Sequence, residues 1–249
     1  MPIHGLNSLP ENVGLAFLGE EAWPPVMLQA RQAEKLAAAC NACGRPNSDV
    51  LRRRLGVVDG EPAESWQIDF PAHFTPQEAS LYELPSAWIR ERVRDNAWLN
   101  PKAKPDLRRA LARVSRFLAL PADAAVPDWR WIADDLLPDA SLVVVARDED
   151  FIHGVLGSGL FSVWWRAGRT RIGPVQRVES FPFPWPPATP LSALTSNQEE
   201  QRHAIARAVR AGEVERLNDV VLAAYGWTSG LTDRELLKKL TELNRARGG

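Results

Sequence analysis

The sequence predicts an α+β fold, with a mixed-sheet domain over residues 1–190 followed by a small helical C-terminal subdomain over 191–249. Three observations carry this expectation. Up to about residue 165, alternating or wholly apolar runs of strand length are interleaved with segments of helical periodicity. The prolines from Pro182 to Pro190 forbid helix and central strand, so Phe181 to Leu191 reads as an extended connection and a domain boundary. Beyond Ser192 the apolar residues recur at helical spacing.

Taken in order, Gly14-Leu-Ala-Phe-Leu18 reads as a short strand. An Ala-rich helix follows from about Met27 to Cys40, with Ala33, Leu36, Ala37 and Cys40 on one face. Trp66-Gln-Ile-Asp-Phe70 alternates as a half-buried strand does. Thr75-Pro-Gln-Glu78 is a capping box with proline at the first helical position, so helix begins there and runs to about Tyr82. Pro85 is expected to break it before Ala87 to Val93. Leu107, Ala110, Leu111 and Val114 mark a further amphipathic stretch that turns Arg108, Arg109 and Arg113 outward. Asp128-Trp-Arg-Trp-Ile132 alternates, and Ala140-Ser-Leu-Val-Val-Val-Ala146 is an apolar run suited to a central strand buried on both faces. From Arg147 to Trp165, Phe151, Val155, Leu156, Phe161 and Trp165 fit one helical face, weakened by Gly154, Gly157 and Gly159. In the tail, Leu217, Val220, Val221, Ala224 and Tyr225 form a helical stripe ended by Gly226. Thr232-Asp-Arg-Glu235 is a second capping box, opening a helix whose Leu236, Leu237, Leu240 and Leu243 face a core. Its Lys238, Lys239, Arg245 and Arg247 suit the helix dipole or a phosphate backbone.

The chain has 249 residues, 45% of them hydrophobic, enough to bury a core without staples. Two cysteines, no signal-peptide pattern and no apolar run of membrane-spanning length lead to the expectation of a soluble, cytoplasmic protein with no membrane partner. Cys40 and Cys43 form a C-x-x-C without a second ligand pair, and His4, His73, His153 and His203 are scattered singly, so no metal site is expected. With 30 Lys and Arg against 31 Asp and Glu, any attraction to phosphate must be local. From Arg90 to Arg116 nine basic residues face three acidic ones, whereas from Pro121 to Asp150 eight acidic residues face two basic ones.

The most informative stretch is Trp164-Trp165-Arg166-Ala-Gly-Arg169-Thr-Arg171-Ile-Gly-Pro-Val-Gln176-Arg177, which runs into the Phe181-Pro-Phe-Pro-Trp185 block. Four arginines and a glutamine sit between two aromatic anchors, with no acid before Glu179. Arginine's rigid fork matches phosphate oxygens or the guanine edge, and glutamine pairs bidentately with adenine. The same composition also fits a basic surface hairpin. Catalytic signatures are lacking. Gly154-Val-Leu-Gly157-Ser-Gly159 does not directly follow a strand, so these glycines read as close packing rather than a cofactor turn. Asn100-Pro101-Lys102 lacks the second proline and aromatic of a base-methylating motif, and no nucleophile elbow or triad is apparent. No catalytic residue is assigned.

Nine blocks in order carry a resemblance. They are Asn12-Val-Gly-Leu-Ala-Phe-Leu-Gly, Pro46-Asn-Ser-Asp-Val-Leu-Arg52, Trp66-Gln-Ile-Asp-Phe70, Glu78-Ala-Ser-Leu-Tyr-Glu-Leu-Pro85, Pro138-Asp-Ala-Ser-Leu, Ala146-Arg-Asp-Glu-Asp-Phe-Ile-His-Gly-Val-Leu-Gly-Ser158, Glu179-Ser-Phe-Pro-Phe-Pro184, Ala224-Tyr-Gly-Trp227 and Leu240-Thr-Glu-Leu-Asn-Arg-Ala246. Together they resemble the C-terminal portion of the large adenine-specific DNA methylases of single-chain restriction-modification systems, the MmeI-like group. The resemblance implies a DNA target-recognition domain over 1–190 and a helical tail over 191–249. The methyl-transfer part and its S-adenosylmethionine would lie outside this chain, in the same polypeptide or a separate subunit, and this chain would carry no cofactor. It further implies readout of double-stranded DNA by the loop from Arg166 to Glu179, so Arg166, Arg169, Arg171, Gln176 and Arg177 are assigned to base edges. Lys102, Lys104, Arg108 and Arg109 are assigned to phosphates. The family's double tryptophan near a basic turn is represented here by Trp98, followed by Leu99-Asn-Pro. The alternative is a protein-interaction or subunit-docking module whose Trp- and Pro-rich surface meets a partner protein, without DNA binding of its own.

Overall fold

A computed structural model describes residues 7–93 and 100–248. His4, Arg94, Asp95 and the turn at Trp98 and Leu99 lie outside the described residues. In chain order the elements are β1 (Ala16–Leu18), β2 (Met27–Leu28), α1 (Ala30–Ala38), β3 (Leu51–Val58), β4 (Glu61–Ile68), α2 (Pro76–Ser80), α3 (Glu83–Arg92), α4 (Pro105–Leu111), β5 (Arg116–Pro121), β6 (Arg130–Ala133), β7 (Leu136–Pro138), β8 (Leu142–Val145), α5 (Asp150–Leu156), α6 (Gly159–Gly168), α7 (Pro174–Glu179), α8 (Ser196–Ala211), α9 (Val214–Ala224) and α10 (Asp233–Gly248). This is an α+β fold. It divides into two compact units. One comprises the segment ending at Leu18, Ala110–Ile132 and the chain from Val143 onward, and the other comprises Gly19–Arg109 and Ala133–Leu142.

The first unit is built on a four-stranded sheet of order β1-β8-β5-β6. β8 is buried along its whole length, as its unbroken Leu-Val-Val-Val run requires of an inner strand, and pairs antiparallel with β1 so that Phe17 lies opposite Val144. The segment after Arg147 is helical, as its periodicity predicts, but splits into α5 and α6 at Gly157. Ser158 caps α6 by accepting from the Phe161 amide. Gly154 is a packing glycine, because a Cβ there would collide with the Ile205 side chain of α8. Aromatic rings knit the centre. Phe181 stands edge-on to Phe161 at 5.0 Å, and Trp185 stacks on Phe151 at 4.7 Å.

The expected helices beyond Pro190 are present as α8, α9 and α10, and their apolar faces pack into the core of the first unit. Ile205 and Ala208 of α8, Leu217 and Val221 of α9, and Leu236 and Leu240 of α10 are buried in the same core as Phe151, Val155 and Trp164. Their apolar stripes have this core to cover, so the boundary expected at 190 falls inside one unit. Asn244 of α10 fixes the tail further by donating to Ser180 O at 2.6 Å.

The second unit carries a mixed sheet of order β2-β4-β3-β7. β3 runs antiparallel to β4 and parallel to β7. The β3–β4 hairpin turns through Asp59-Gly60, and both residues have positive φ, the combination a tight hairpin of right-handed twist demands. Its core holds Val26, Leu28, Ala33, Leu36, Val50, Ile68, Phe70 and Tyr82. On α1 only Ala33 and Leu36 of the expected face are buried, and Met27 belongs to β2. The Thr75 box forms as expected, with Glu78 N donating to Thr75 Oγ1 at 3.2 Å. Pro85, however, lies inside the first turn of α3, where no intrahelical amide bond is lost. The break comes earlier, at Leu81 and Tyr82.

Candidate nucleic-acid interface

The basic segment of the first unit is held at both ends by aromatic residues. Trp164 and Trp165 of α6 are fully buried, and their indole N–H groups donate to Arg177 O at 3.0 Å and Ala124 O at 2.9 Å. At the other end Phe181 packs edge-on against Trp164 at 6.0 Å. Between them the chain forms a helical corner rather than a hairpin. The amides of Arg171 and Ile172 both donate to Gly168 O at 3.0 Å, and Pro174 opens α7 at its first position.

This corner sorts the five assigned side chains. Arg166 lies on the last turn of α6 with its side chain 55% exposed, donating to Ser162 O and pairing with Asp233 at 3.1 Å. Arg169 and Arg171 are exposed in the corner, and Gln176 is half-buried on α7. Arg177 turns inward, which corrects its assignment to a base edge. It is 3% exposed, its guanidinium lies 3.6 Å from the Trp165 ring centroid, and its Nη2 donates a long bond to Ala122 O at 3.5 Å. Burial, reinforced by the like charge of Arg169, pushes its pKa down to about 10. Gly168 provides the room, since a Cβ there would lie 2.9 Å from Arg177 Cγ. The phase of α7 puts Arg177 and Val178 together on the buried side.

In the second unit the four residues assigned to phosphates also divide. Lys102 is exposed and pairs with Glu21 at 2.6 Å, while Arg109 is exposed and pairs with Asp106. Lys104 donates from its backbone to Glu20 Oε1 at 2.8 Å and from Nζ to Gly19 O at 2.9 Å. Arg108 is a structural cation, and its assignment to a phosphate is corrected. Its Nε and Nη2 grip the fully buried Glu20 at 2.6 and 2.9 Å, and Nη1 reaches Asp69 at 2.9 Å. Burial disfavours its charge, but the bonds and charges of Glu20 and Asp69 outweigh that and hold the guanidinium protonated above its usual range. The buried Arg54 joins the cluster by donating to Glu20 O at 2.9 Å and Gln67 Oε1 at 2.7 Å. Sequence reasoning missed Glu20 and Arg54, for which neither motif nor spacing gives a signal. Cys40 and Cys43 are free and exposed. No described helix is long and apolar enough to cross a membrane.

The fold and the surface arginines at the α6–α7 corner define an α+β protein with a cationic edge on its first unit. Comparison with known proteins adds one likeness of structure. No family model and no curated protein matches the chain. Among solved structures it is similar to that of the type IIL restriction-modification enzyme MmeI in complex with DNA, with a TM-score of 0.58 and 15% identity. The alignment covers 99% of this chain and 36% of that one, so the chain spans about a third of the length of the enzyme it matches. At this identity the likeness is one of fold, and it agrees with the fold that the sequence resemblance implies.

Proposed function

We propose that this chain is a double-stranded DNA recognition module of an adenine-N6 methyltransferase in a restriction-modification system, with the methyl-transfer part outside the chain. The observation that carries the reading is the likeness of fold across 99% of the chain to a restriction-modification enzyme in complex with DNA. The exposed Arg166, Arg169 and Arg171 support it, because guanidinium groups on a surface helical corner suit both groove edges and phosphates. In this reading Arg169, Arg171 and Gln176 approach bases, with Arg166 beside them, while Lys102, Lys104 and Arg109 meet the backbone. S-adenosylmethionine belongs with the catalytic part, and the residues of this chain bind and orient duplex.

Fluorescence anisotropy on a set of duplexes, repeated over a salt series, separates the two roles. Arg169→Ala relaxes preference at one base position by about 1 to 3 kcal/mol. Lys102→Ala weakens all duplexes alike and lowers the salt slope by about one. If the chain binds no duplex, or if both substitutions leave affinity and preference unchanged, the reading is wrong. Salt-insensitive assembly with another protein in the absence of DNA binding would assign the chain to subunit docking instead.

A further inference from the structure

α6 and α10 of the first unit leave a groove between them, lined by Val163, Arg166, Ala167, Asp233, Arg234 and Leu237. Its floor is apolar and its rim is charged. Arg166 and Arg234 are both exposed there, and the chain continues from Arg166 straight into the exposed Arg169 and Arg171 of the corner. The groove therefore adjoins the cationic edge already described. An acid meets this edge at Arg166, for Asp233 Oδ2 sits 3.1 Å from Arg166 Nη2, with side-chain exposures of 71% and 55%. A pair this open to water is weakly held. The cap of α10 is already closed, since Thr232 N donates to Glu235 at 2.8 Å and Glu235 N to Thr232 Oγ1 at 3.4 Å. Two amides at the start of α10 are thereby already engaged, and the arginine side chains supply the full positive charges at the groove.

We propose that the α6–α10 groove seats a backbone phosphate of the bound duplex between Arg166 and Arg234, and that Asp233 occupies Arg166 until that phosphate displaces it. The inference rests on the DNA-recognition reading and deepens it. It adds Arg234 to the interface and makes Asp233 a built-in competitor that weakens binding to every sequence alike. A duplex backbone is the occupant that the charged rim fits, because two forked donors line the groove beside a corner of further arginines, and DNA presents phosphates at regular short intervals.

The test is duplex binding by the full chain over a salt series. Asp233→Asn frees Arg166 and should tighten binding about three- to fivefold near physiological salt, and steepen the salt slope by up to about one, the share of one phosphate contact. Arg234→Gln should loosen binding by a similar factor and flatten the slope. Both changes should leave the preference among duplexes untouched. Glu242→Gln, which removes another exposed acid of α10, controls for net charge and should change affinity less than about twofold. Unfolding midpoints of all variants exclude a folding defect. If the parent chain binds duplex while Asp233→Asn binds no more tightly than Glu242→Gln, or Arg234→Gln binds as well as the parent, the groove assignment fails and the recognition reading stands. If the parent chain itself does not bind duplex, both fall together.

Discussion

Arg177 shows how much of the interface depends on the direction of one side chain. Its stem packs against Gly168 and its guanidinium covers Trp165, yet Nε and Nη1 have no hydrogen-bond partner. The residue therefore contributes by packing and by its stacking on the indole, while its charge is a cost of burial. Arg177→Ala strips both contributions and should lower stability by about 2 to 4 kcal/mol in urea unfolding. Arg177→Met retains the stem and discards the charge, so it should stay within about 1 kcal/mol of the parent and keep the parent's duplex preference. A methionine variant of full stability that lost this preference would return Arg177 to the DNA surface. The aromatic anchors Trp164, Trp165 and Phe181 were legible in the sequence, because bulky apolar residues bounding a Gly- and Pro-punctuated segment have little alternative to burial. Which arginine turns inward was not. That choice is set by the phase of α7 and by Gly168, and the pairing of Arg108 with Glu20 spans 88 residues of sequence with no local trace.

At the scale of elements, local chemistry was read most faithfully where it closes on itself within four residues. The boxes at Thr75 and Thr232 both form, and each ties a hydroxyl and a carboxylate to the first turn of a helix. Pro85 and the glycines of α5 and α6 also carried information, although the exact breaks moved by a few residues. β3 and β5 escaped the sequence reading for a physical reason. Leu51-Arg-Arg-Arg-Leu55 hides its alternation because Arg54 is itself buried, and β5 is a short apolar run whose inner residues Phe117 to Leu120 are all buried, with no exposed face to alternate. The second box also sets a dependence on acidity. The side-chain hydroxyl of Thr232, then its backbone amide, hold the Glu235 carboxyl below its usual 4.5. Because the folded pKa is the lower one, the stabilisation is present above about pH 4.5 and is lost as pH falls through the folded value. Thr232→Ala should cost about 1 kcal/mol at neutral pH through loss of the N-cap oxygen. Glu235→Gln should flatten the acid-side fall in amide protection at the start of α10, measured by hydrogen exchange, and an unchanged acid profile would deny the carboxylate this role.

For the whole molecule, the chain order conceals the division of the fold. The first unit is assembled from three stretches of sequence, and the second interrupts it twice, so a boundary inferred from composition at the proline run coincides with none of the four junctions. The proline run forms neither helix nor strand and is not extended throughout, for it turns where Thr189 N donates to Pro186 O at 3.0 Å, and Phe181, Phe183 and Trp185 within it are buried and carry the core through it toward α8. The consequence is testable by truncation after Pro190. Ile205, Leu217, Val221, Leu236 and Leu240 would be lost from the core, at roughly 1.5 to 3 kcal/mol for each large apolar side chain returned to water. That loss is comparable to the entire stability of an ordinary domain, about 5 to 15 kcal/mol. It would also uncover Gly154 and its neighbours on α5, the surface against which Ile205 packs. The fragment 1–190 should therefore be insoluble or, if recovered, should bind a hydrophobic dye and unfold without a cooperative transition. A separate tail would give the opposite result, a fragment with the parent's cooperative melt and no dye binding, and that outcome would restore the boundary at 190.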